Sequence, residues 1–447
     1  MNKEVFERLL DEKQYKAIKS IFSTLNPVDI AALLPEYEEK ELVLLFRLIP
    51  KENASLVFTY LDSEEEQVLI NAFTEKELRN IMDEMFIDDT VDIIEEMPAN
   101  LVERILSCTA AEKRQAINEV LNYPKDSAGS IMTLEYVGLQ KNMTVAQAIK
   151  KIKLTGIHKE TIYTCYVTEK HKLIGIVSAK DLLTSDDEAT IEELMETSFI
   201  SVHTHTDKEE VAKLFNKYDV LSLPVVDAEN CLIGIVTVDD AIDVMEEEVT
   251  EDIVKMNAIV PSDTTYLGTS VFKHAKNRIV WLLVLMLSAT VTGAIISRYE
   301  AALSALPLLV SFIPMLMDTS GNCGAQASVL IIRGLALDEV KFSDIFKVVF
   351  KELRVSIIIS VILGAVNFLR ILLMYRTNEL VWQYATYVSL TLMATIVIAK
   401  LIGCTLPLLA KRIKLDPALM ASPIITTLVD ACSIIIYFTI VTHAFDF

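Results

Sequence analysis

The stretch ASPIITTLVDACSIIIYFTIV, residues 421–441, places Asp430 inside an otherwise uncharged run that begins at Pro417. About 20 apolar residues cross the hydrocarbon core of a bilayer at about 1.5 Å per residue, so the segment predicts a transmembrane helix with Asp430 near the midplane. A carboxylate at that depth is costly, and such residues face a bundle interior or a water-filled path. Asp430 is therefore either an acid that locks helix packing or an anionic site on a cation pathway. The membrane setting favours the pathway.

Four more hydrophobic spans precede it: 279–296, 301–332 interrupted by Asp318, 355–375 with Arg370 near one end, and 380–410 holding Lys400. Five α-helical crossings are expected. Lys273, Lys276 and Arg278 precede the first span. Arg333, Lys341, Lys347, Lys351 and Arg354 separate the second from the third, and Lys411, Arg412 and Lys414 the fourth from the fifth. The other side shows Arg298, Arg370 and Arg376, so the basic bias predicts a cytoplasmic N-terminus and an external C-terminus. The second span contains PMLMDTSGNCGAQASVLIIRGLAL, in which Pro314, Gly321 and Gly324 interrupt the apolar run beside Asn322, Gln326 and Ser328. Irregular backbone at membrane depth is tolerated against protein or water, and small residues let helices approach closely. The segment reads as oxygens facing a pore, with a kink at a packing contact as the alternative.

The chain carries 62 Asp and Glu against 41 Lys and Arg, a net charge of −21, and the acidic excess lies ahead of the spans. That balance excludes nucleic acid as a partner and suits cations. Six scattered cysteines without a CxxC pair exclude a disulfide framework or zinc cage. The opening MNKEVFERLLDEKQYKAIKS has no apolar core of signal-peptide type, so the soluble part is expected to stay where it is made.

Up to about residue 121, apolar residues recur at i, i+3, i+4 and i+7 in pieces of roughly a dozen residues, such as EEKELVLLFRLI, EKELRNIMDEM and DDTVDIIEEM. Such short, regular helices predict an all-α superhelix over 1–124. Over 125–242 the chain repeats itself. YVTEKHKLIGIVSAKDL (166–182) and VVDAENCLIGIVTVDDA (225–241) align without a gap, each a strand, turn, strand and helix. The doubled LIGIV[ST]xxD signature resembles a tandem pair of CBS domains, an α/β fold. By that resemblance Ser178 with Asp181, and Thr237 with Asp240, lie where ATP or another adenine nucleotide can sit. Then DDAIDVMEEEVTED (239–252) holds eight acids in fourteen positions without a Lys or Arg, more self-repulsion than a solvated face needs. A connecting helix over 243–276, with a break near Pro261 and Ser262, is expected to couple the soluble part to a transmembrane domain over 277–447.

Taken together, the superhelix, the CBS pair, the acidic helix and the five-span bundle resemble the MgtE family of magnesium channels. The specific matches are NYPKDSAGSIMT, DVMEEEVTEDI, the PxxxxxxxGNxGxQxS pattern of the second span and DPALMASPIITTLVD. The resemblance implies a homodimer in the cell membrane whose pore forms between the second and fifth spans, with Asp430 as the intramembrane magnesium site. Pro314, Gly321, Asn322, Gly324 and Gln326, with Thr426 of the fifth span, are expected to line it. It also implies cytosolic magnesium sites that close the pore. Their acids would be Asp88, Asp89 and Asp92 of DDTVD, Asp219 of KYDV, and Asp240, Asp243, Glu248, Glu251 and Asp252 of the connecting helix, joined by the Gly129 carbonyl of SAGS. Ser55 stands in KENASLV where some relatives offer an acid, and Asp318 receives no role.

The physics agrees with that implication. Magnesium is small, hard and slow to shed water, so one or two carboxylates with polar oxygens can hold it through its hydration shell. Two alternatives remain: a coupled carrier for divalent cations tolerant of cobalt or manganese, and a membrane protein that senses nucleotide through the CBS pair. No P-loop, Ser/His/Asp set or His-based metal spacing is present, so no enzyme activity is expected.

Overall fold

The computed structural model describes residues 3–262, 266, 268–299, 304, 306–420 and 422–445. It divides into two units, 1–248 and 249–447. The first opens with α1 (Lys3–Asp11), α2 (Tyr15–Phe22), α3 (Pro27–Leu33), α4 (Glu39–Phe46), α5 (Lys51–Thr59), α6 (Ser63–Ala72), α7 (Glu75–Glu84), α8 (Ile87–Glu96), α9 (Ala99–Cys108) and α10 (Ala111–Val120). Helices this short are not stable alone, so each must bury an apolar stripe on a neighbour. They stack on the next but one: α3 on α5, α5 on α7 and α7 on α9, with α4 on α6 and α8 on α10. Their ends are defined locally. Asn26 caps α3 by accepting from the Val28 N–H at 3.0 Å, and Thr74 with Glu77 forms a capping box on α7. Phe46, Phe58 and Phe73 interlock at centroid distances of 5.4 to 6.3 Å and fix the centre of the stack.

The duplicated segment forms two matching three-stranded sheets. In the first, β1 (Gly138–Leu139) runs parallel to β2 (Thr164–Glu169), which pairs antiparallel with β3 (Lys172–Ser178). In the second, β4 (Val202–His203), β5 (Ser222–Val226) and β6 (Leu232–Thr237) repeat the arrangement. The helices are α11 (Val145–Thr155), α12 (Ala179–Thr184), α13 (Ile191–Leu194) and α14 (Lys208–Tyr218). The lead-in strands are exchanged: Thr133 bridges to Ile235 of β6, and Glu196 bridges to Ile176 of β3. Tyr166 and Ser222 share a buried 2.6 Å hydrogen bond between the copies. The sequence alignment at a constant spacing is thus a structural repeat.

Helix α15 (Val238–Met256) carries the acids that follow the repeat. It ends earlier than the expected 243–276: Asn257 is followed by Ala258 at φ 55°, which turns the chain out of the helix ahead of Pro261. The last residues of the expected connecting helix belong instead to α16 (Val271–Arg298).

The second unit adds α17 (Ile313–Ala336), α18 (Ile345–Met374), α19 (Val381–Arg412) and α20 (Ser422–Ala444). Among the described residues, four stretches are long and apolar enough to cross a membrane: Val271–Arg298, Phe342–Met374, Val381–Arg412 and Pro417–Ala444. Helix α17 has 24 residues but its Asp, Ser, Asn and Gln lower its hydropathy. The expected second span began at Ala301, and residues 301–303 and 305 lie outside the described residues. Leu283, Leu287 and Val291 of α16 are exposed, as lipid-facing side chains would be. Helix α17 packs between α19 and α20. Lys400 of α19 is 3 % exposed and faces Glu352 of α18 at 3.8 Å, so its charge is compensated inside the bundle.

One buried acid marks a stability prediction. Glu66 of α6 is 3 % exposed, and burial, followed by Glu96, Asp62, Glu65 and Asp92, pushes its carboxyl up to about 9. The folded chain therefore keeps a proton that the unfolded chain loses near its ordinary value of 4.5, and stability falls as pH rises from there towards about 9. Glu66→Gln should raise the free energy of unfolding at pH 8 by on the order of 1–3 kcal/mol and change it little at pH 4. Equal effects at both pH values would show that Glu66 is not the titrating group.

Candidate functional site

Two places gather the candidate residues, one in each unit. In the second unit, Asp430 sits midway along α20 with Oδ1 buried and, among the described residues, without a hydrogen-bond partner. Its neighbour is the glycine segment of α17. A Cβ on Gly321 would lie 2.9 Å from Thr426 Cγ2 and 3.7 Å from Asp430 Oδ1. One on Gly324 would meet Ile425 at 2.9 Å and the Ala399 carbonyl at 3.2 Å. Only glycine lets α17 fit between α19 and α20 at this level, and Gly403 of α19 abuts Gly324 in the same way. A 2.8 Å hydrogen bond between Ser320 and Ser433 fixes the register of α17 on α20.

The expected pore set is thereby divided. Gly321 and Gly324 are buried in helix contacts, with Thr426 against Gly321. Asn322 and Gln326 lie on the exposed face with Asp318, whose Oδ1 accepts from Asn322 Nδ2 at 3.2 Å. Pro314 does not interrupt a helix: it occupies the first turn of α17, where its missing N–H leaves no bond unmade. The helix then runs unbroken through both glycines, so the expected release of backbone oxygens by a kink does not occur.

In the first unit, α8, the start of α15 and the segment around Glu160 converge. Asp88 is 5 % exposed, and burial together with Asp240, Asp89 and Glu160 holds its carboxyl well above the usual range. Burial likewise pushes Asp92 to about 8, Glu160 to about 8, Asp240 to about 7 and Asp89 to about 6, with other carboxylates adding to each; at Asp89 the Phe86 backbone bond, and at Asp240 the Thr237 hydroxyl, oppose the rise. Asp243 is raised by burial and then by Asp239, Glu247 and Glu246. Such mutual repulsion stores free energy that a divalent cation would release. Among the described residues, no three His, Cys, Asp or Glu side chains stand close enough to hold a metal ion directly.

The remaining expected acids are placed differently. Glu251 pairs with Lys255 at 2.5 Å, and Lys255 also bonds Asp416 at 2.8 Å. Glu248 and Asp252 continue the same helix. Gly129 donates to the Thr204 carbonyl at 2.9 Å, and Asp219 ends α14 in a left-handed conformation at φ 52°. The nucleotide candidates act as helix caps: Ser178 bonds Asp181 at 2.5 Å, and Thr237 bonds Asp240 at 2.6 Å. Asp240 therefore belongs to both sets. Asp239, Glu135, Glu160 and Lys113 were not foreseen. Asp239 stood in plain view beside Asp240, whereas Glu135 and Glu160 reach the acids through the fold of the first repeat. Lys113 Nζ donates to the carbonyls of Met82 and Met85 at the end of α7.

A family model described as "Divalent cation transporter" (MgtE) matches residues 313–440, the MgtE intracellular N domain matches 25–126, and the CBS domain matches 128–188 and 191–247. The chain is 34 % identical over 439 residues to "Magnesium transporter MgtE" of Thermus thermophilus, covering 97 % of this chain and 96 % of that one. The protein of the same name from Bacillus subtilis is 34 % identical over 439 residues, covering 97 % and 95 %. Among solved structures, the cytosolic domain of the Mg2+ channel MgtE in complex with ATP superposes with a TM-score of 0.51 at 33 % identity, covering 53 % of this chain and 98 % of that one. The soluble part of a magnesium transporter gives a TM-score of 0.51 at 29 % identity, covering 55 % and 97 %.

Proposed function

The chain belongs to the MgtE family of divalent cation transporters, and we propose on that footing that it is a magnesium-selective channel closed by cytosolic magnesium. The observation that carries the reading is Asp430, whose buried Oδ1 lacks a hydrogen-bond partner among the described residues, inside an apolar helix. A carboxylate left unbonded at membrane depth is expensive unless a cation or water completes it. In the channel, Asp430 draws hydrated magnesium to the midplane, and the polar stripe of Asp318, Asn322 and Gln326 meets its water shell. The exposed position of that stripe suits a pore completed by a second copy of the chain, a homodimer in the cell membrane with the N-terminus and CBS domains cytoplasmic and the C-terminus outside.

The cytosolic acids supply the gate. Asp88, Asp89, Asp92, Asp240 and Asp243 repel one another when bare, and magnesium bridging them rewards the compact arrangement. Asp219, Glu248, Glu251, Asp252 and the Gly129 carbonyl complete further bridges. The ion shifts the gate by no more than its preference for the compact state. The CBS pair takes ATP, as the ATP-bound relative supports, at Ser178 and Asp181, next to the exposed Tyr163 whose carbonyl accepts from the Ala179 N–H at 2.8 Å.

Purified protein in a planar bilayer should pass current with magnesium as the permeant cation and no proton or sodium gradient. Current that requires such a gradient would establish a coupled carrier instead.

A further inference from the structure

Helix α8 carries Asp88, Asp89 and Asp92, yet its N-cap residue Phe86 offers no side-chain acceptor; Asp88 Oδ1 takes the Asp89 N–H at 3.0 Å, which leaves the Ile87 N–H to be met from outside the helix. The first turn of a helix leaves backbone N–H groups unpaired, and these need an acceptor when buried. Here the acceptor comes from the first CBS repeat. Glu135 Oε2 takes the Ile87 N–H at 3.0 Å, across 48 positions of sequence.

Glu135 is itself held from two sides. Its carbonyl accepts from the Glu160 N–H at 2.9 Å. Thr133, two residues earlier, exchanges backbone bonds of 2.8 and 2.9 Å with Ile235 of β6, the strand that leads into Thr237 and Asp240. The segment Thr133–Glu135 thus ties the N-terminus of α8 to the backbone of Glu160 and to the strand that leads into α15, through hydrogen bonds that need no metal. Lys113 closes the same corner on the other side of the α7–α8 turn, through the Met82 and Met85 carbonyls.

We propose that Glu135 is a positioning residue of the cation sensor: a metal-independent clasp that docks the N-terminus of α8 on the CBS pair and so holds Asp88 and Asp89 towards Asp240 and Glu160. The proposal rests on the reading of these acids as the magnesium sensor. It acts by lowering the cost of closure before any ion arrives, so that less magnesium completes it. Glu135 contributes as a hydrogen-bond acceptor, and a neutral carbonyl in the same place serves equally well.

The test uses the full-length protein in detergent, magnesium alone as ligand, and a glutamyl endopeptidase that cuts after the glutamates of α15. Protection as a function of magnesium is the readout. Glu135→Ala should move the half-protection concentration up by about threefold to tenfold, with full protection at saturating magnesium, a shift that a general loss of fold would not produce. Glu135→Gln keeps a carbonyl acceptor and should stay within about twofold of wild type. A Glu135→Ala midpoint equal to wild type overturns the clasp. A Glu135→Gln midpoint as high as that of Ala overturns it too, because the charge, and not the cap, would then be what matters. The double variant Asp88→Asn/Asp240→Asn separates the two levels. If it retains wild-type magnesium dependence, the sensor reading itself fails, whatever Glu135 does.

Discussion

Asp430→Ala is expected to fold and insert normally and to lose magnesium transport by at least about a hundredfold. Unit charges 4 Å apart attract by about 4 kcal/mol at an effective dielectric of 20, and magnesium carries two. Each 1.4 kcal/mol is a factor of ten in occupancy, so even half of that attraction accounts for the loss. Insertion does not suffer, because removing an intramembrane charge eases it. The packing of α17 on α20 survives as well, since it rests on the Gly321 contact with Thr426, the Gly324 contacts with Ile425 and Val429, and the Ser320–Ser433 bond. Asp430→Asn keeps size and hydrogen bonding and separates charge from packing. Flux measured in liposomes, with gel filtration as the check on assembly, decides the matter. Near wild-type flux in the Asn variant would make Asp430 a packing residue.

That prediction could be framed from sequence because a charge in an apolar run is visible without coordinates. The duplication was equally legible: Leu173 and Gly175 of β3 recur as Leu232 and Gly234 of β6, although the alignment sets Val167 against Val226 and the sheets place Val167 opposite Gly175 but Val225 opposite Gly234, an offset of one residue. The acid run of α15 announced itself by composition. Less was legible where position depends on close approach. Gly321 and Gly324 signalled small side chains, but whether they opened a kink or admitted a neighbouring helix depended on α19 and α20. Pro314 became a first-turn residue only once the start of α17 was known. The end of α15 at Met256 has no Gly or Pro to mark it; Ala258 takes the turn that glycine usually takes. Glu135 and Glu160 are the clearest omissions. Nothing in EYVGL or HKETIY distinguishes them from solvated acids, and only the exchange of lead-in strands between the repeats carries Glu135 to α8.

Neutralising Asp240, Asp243 and Glu251 to Asn and Gln should raise uptake in magnesium-replete cells by on the order of tenfold. The compact state loses ions, and a site occupied at a hundred times its Kd contributes about 2.7 kcal/mol to the state it binds. Neutralisation also removes repulsion, which alone would favour closure. That relief is small beside the loss, because Asp88, Asp89, Asp92, Asp239 and Glu160 remain to keep the bare interface acidic. The three positions should not weigh equally. Asp240 lies at the centre, within reach of both Asp88 and Asp92, and Asn there can still accept from Thr237, so its single variant tests charge without uncapping α15. Asp243 should follow. Glu251 should matter least, since Lys255 already offsets its charge at 2.5 Å. Isotope uptake in cells grown with and without added magnesium gives the measurement. Uptake that falls in the triple variant, at normal expression, would mean that these acids feed ions to the pore and do not close it.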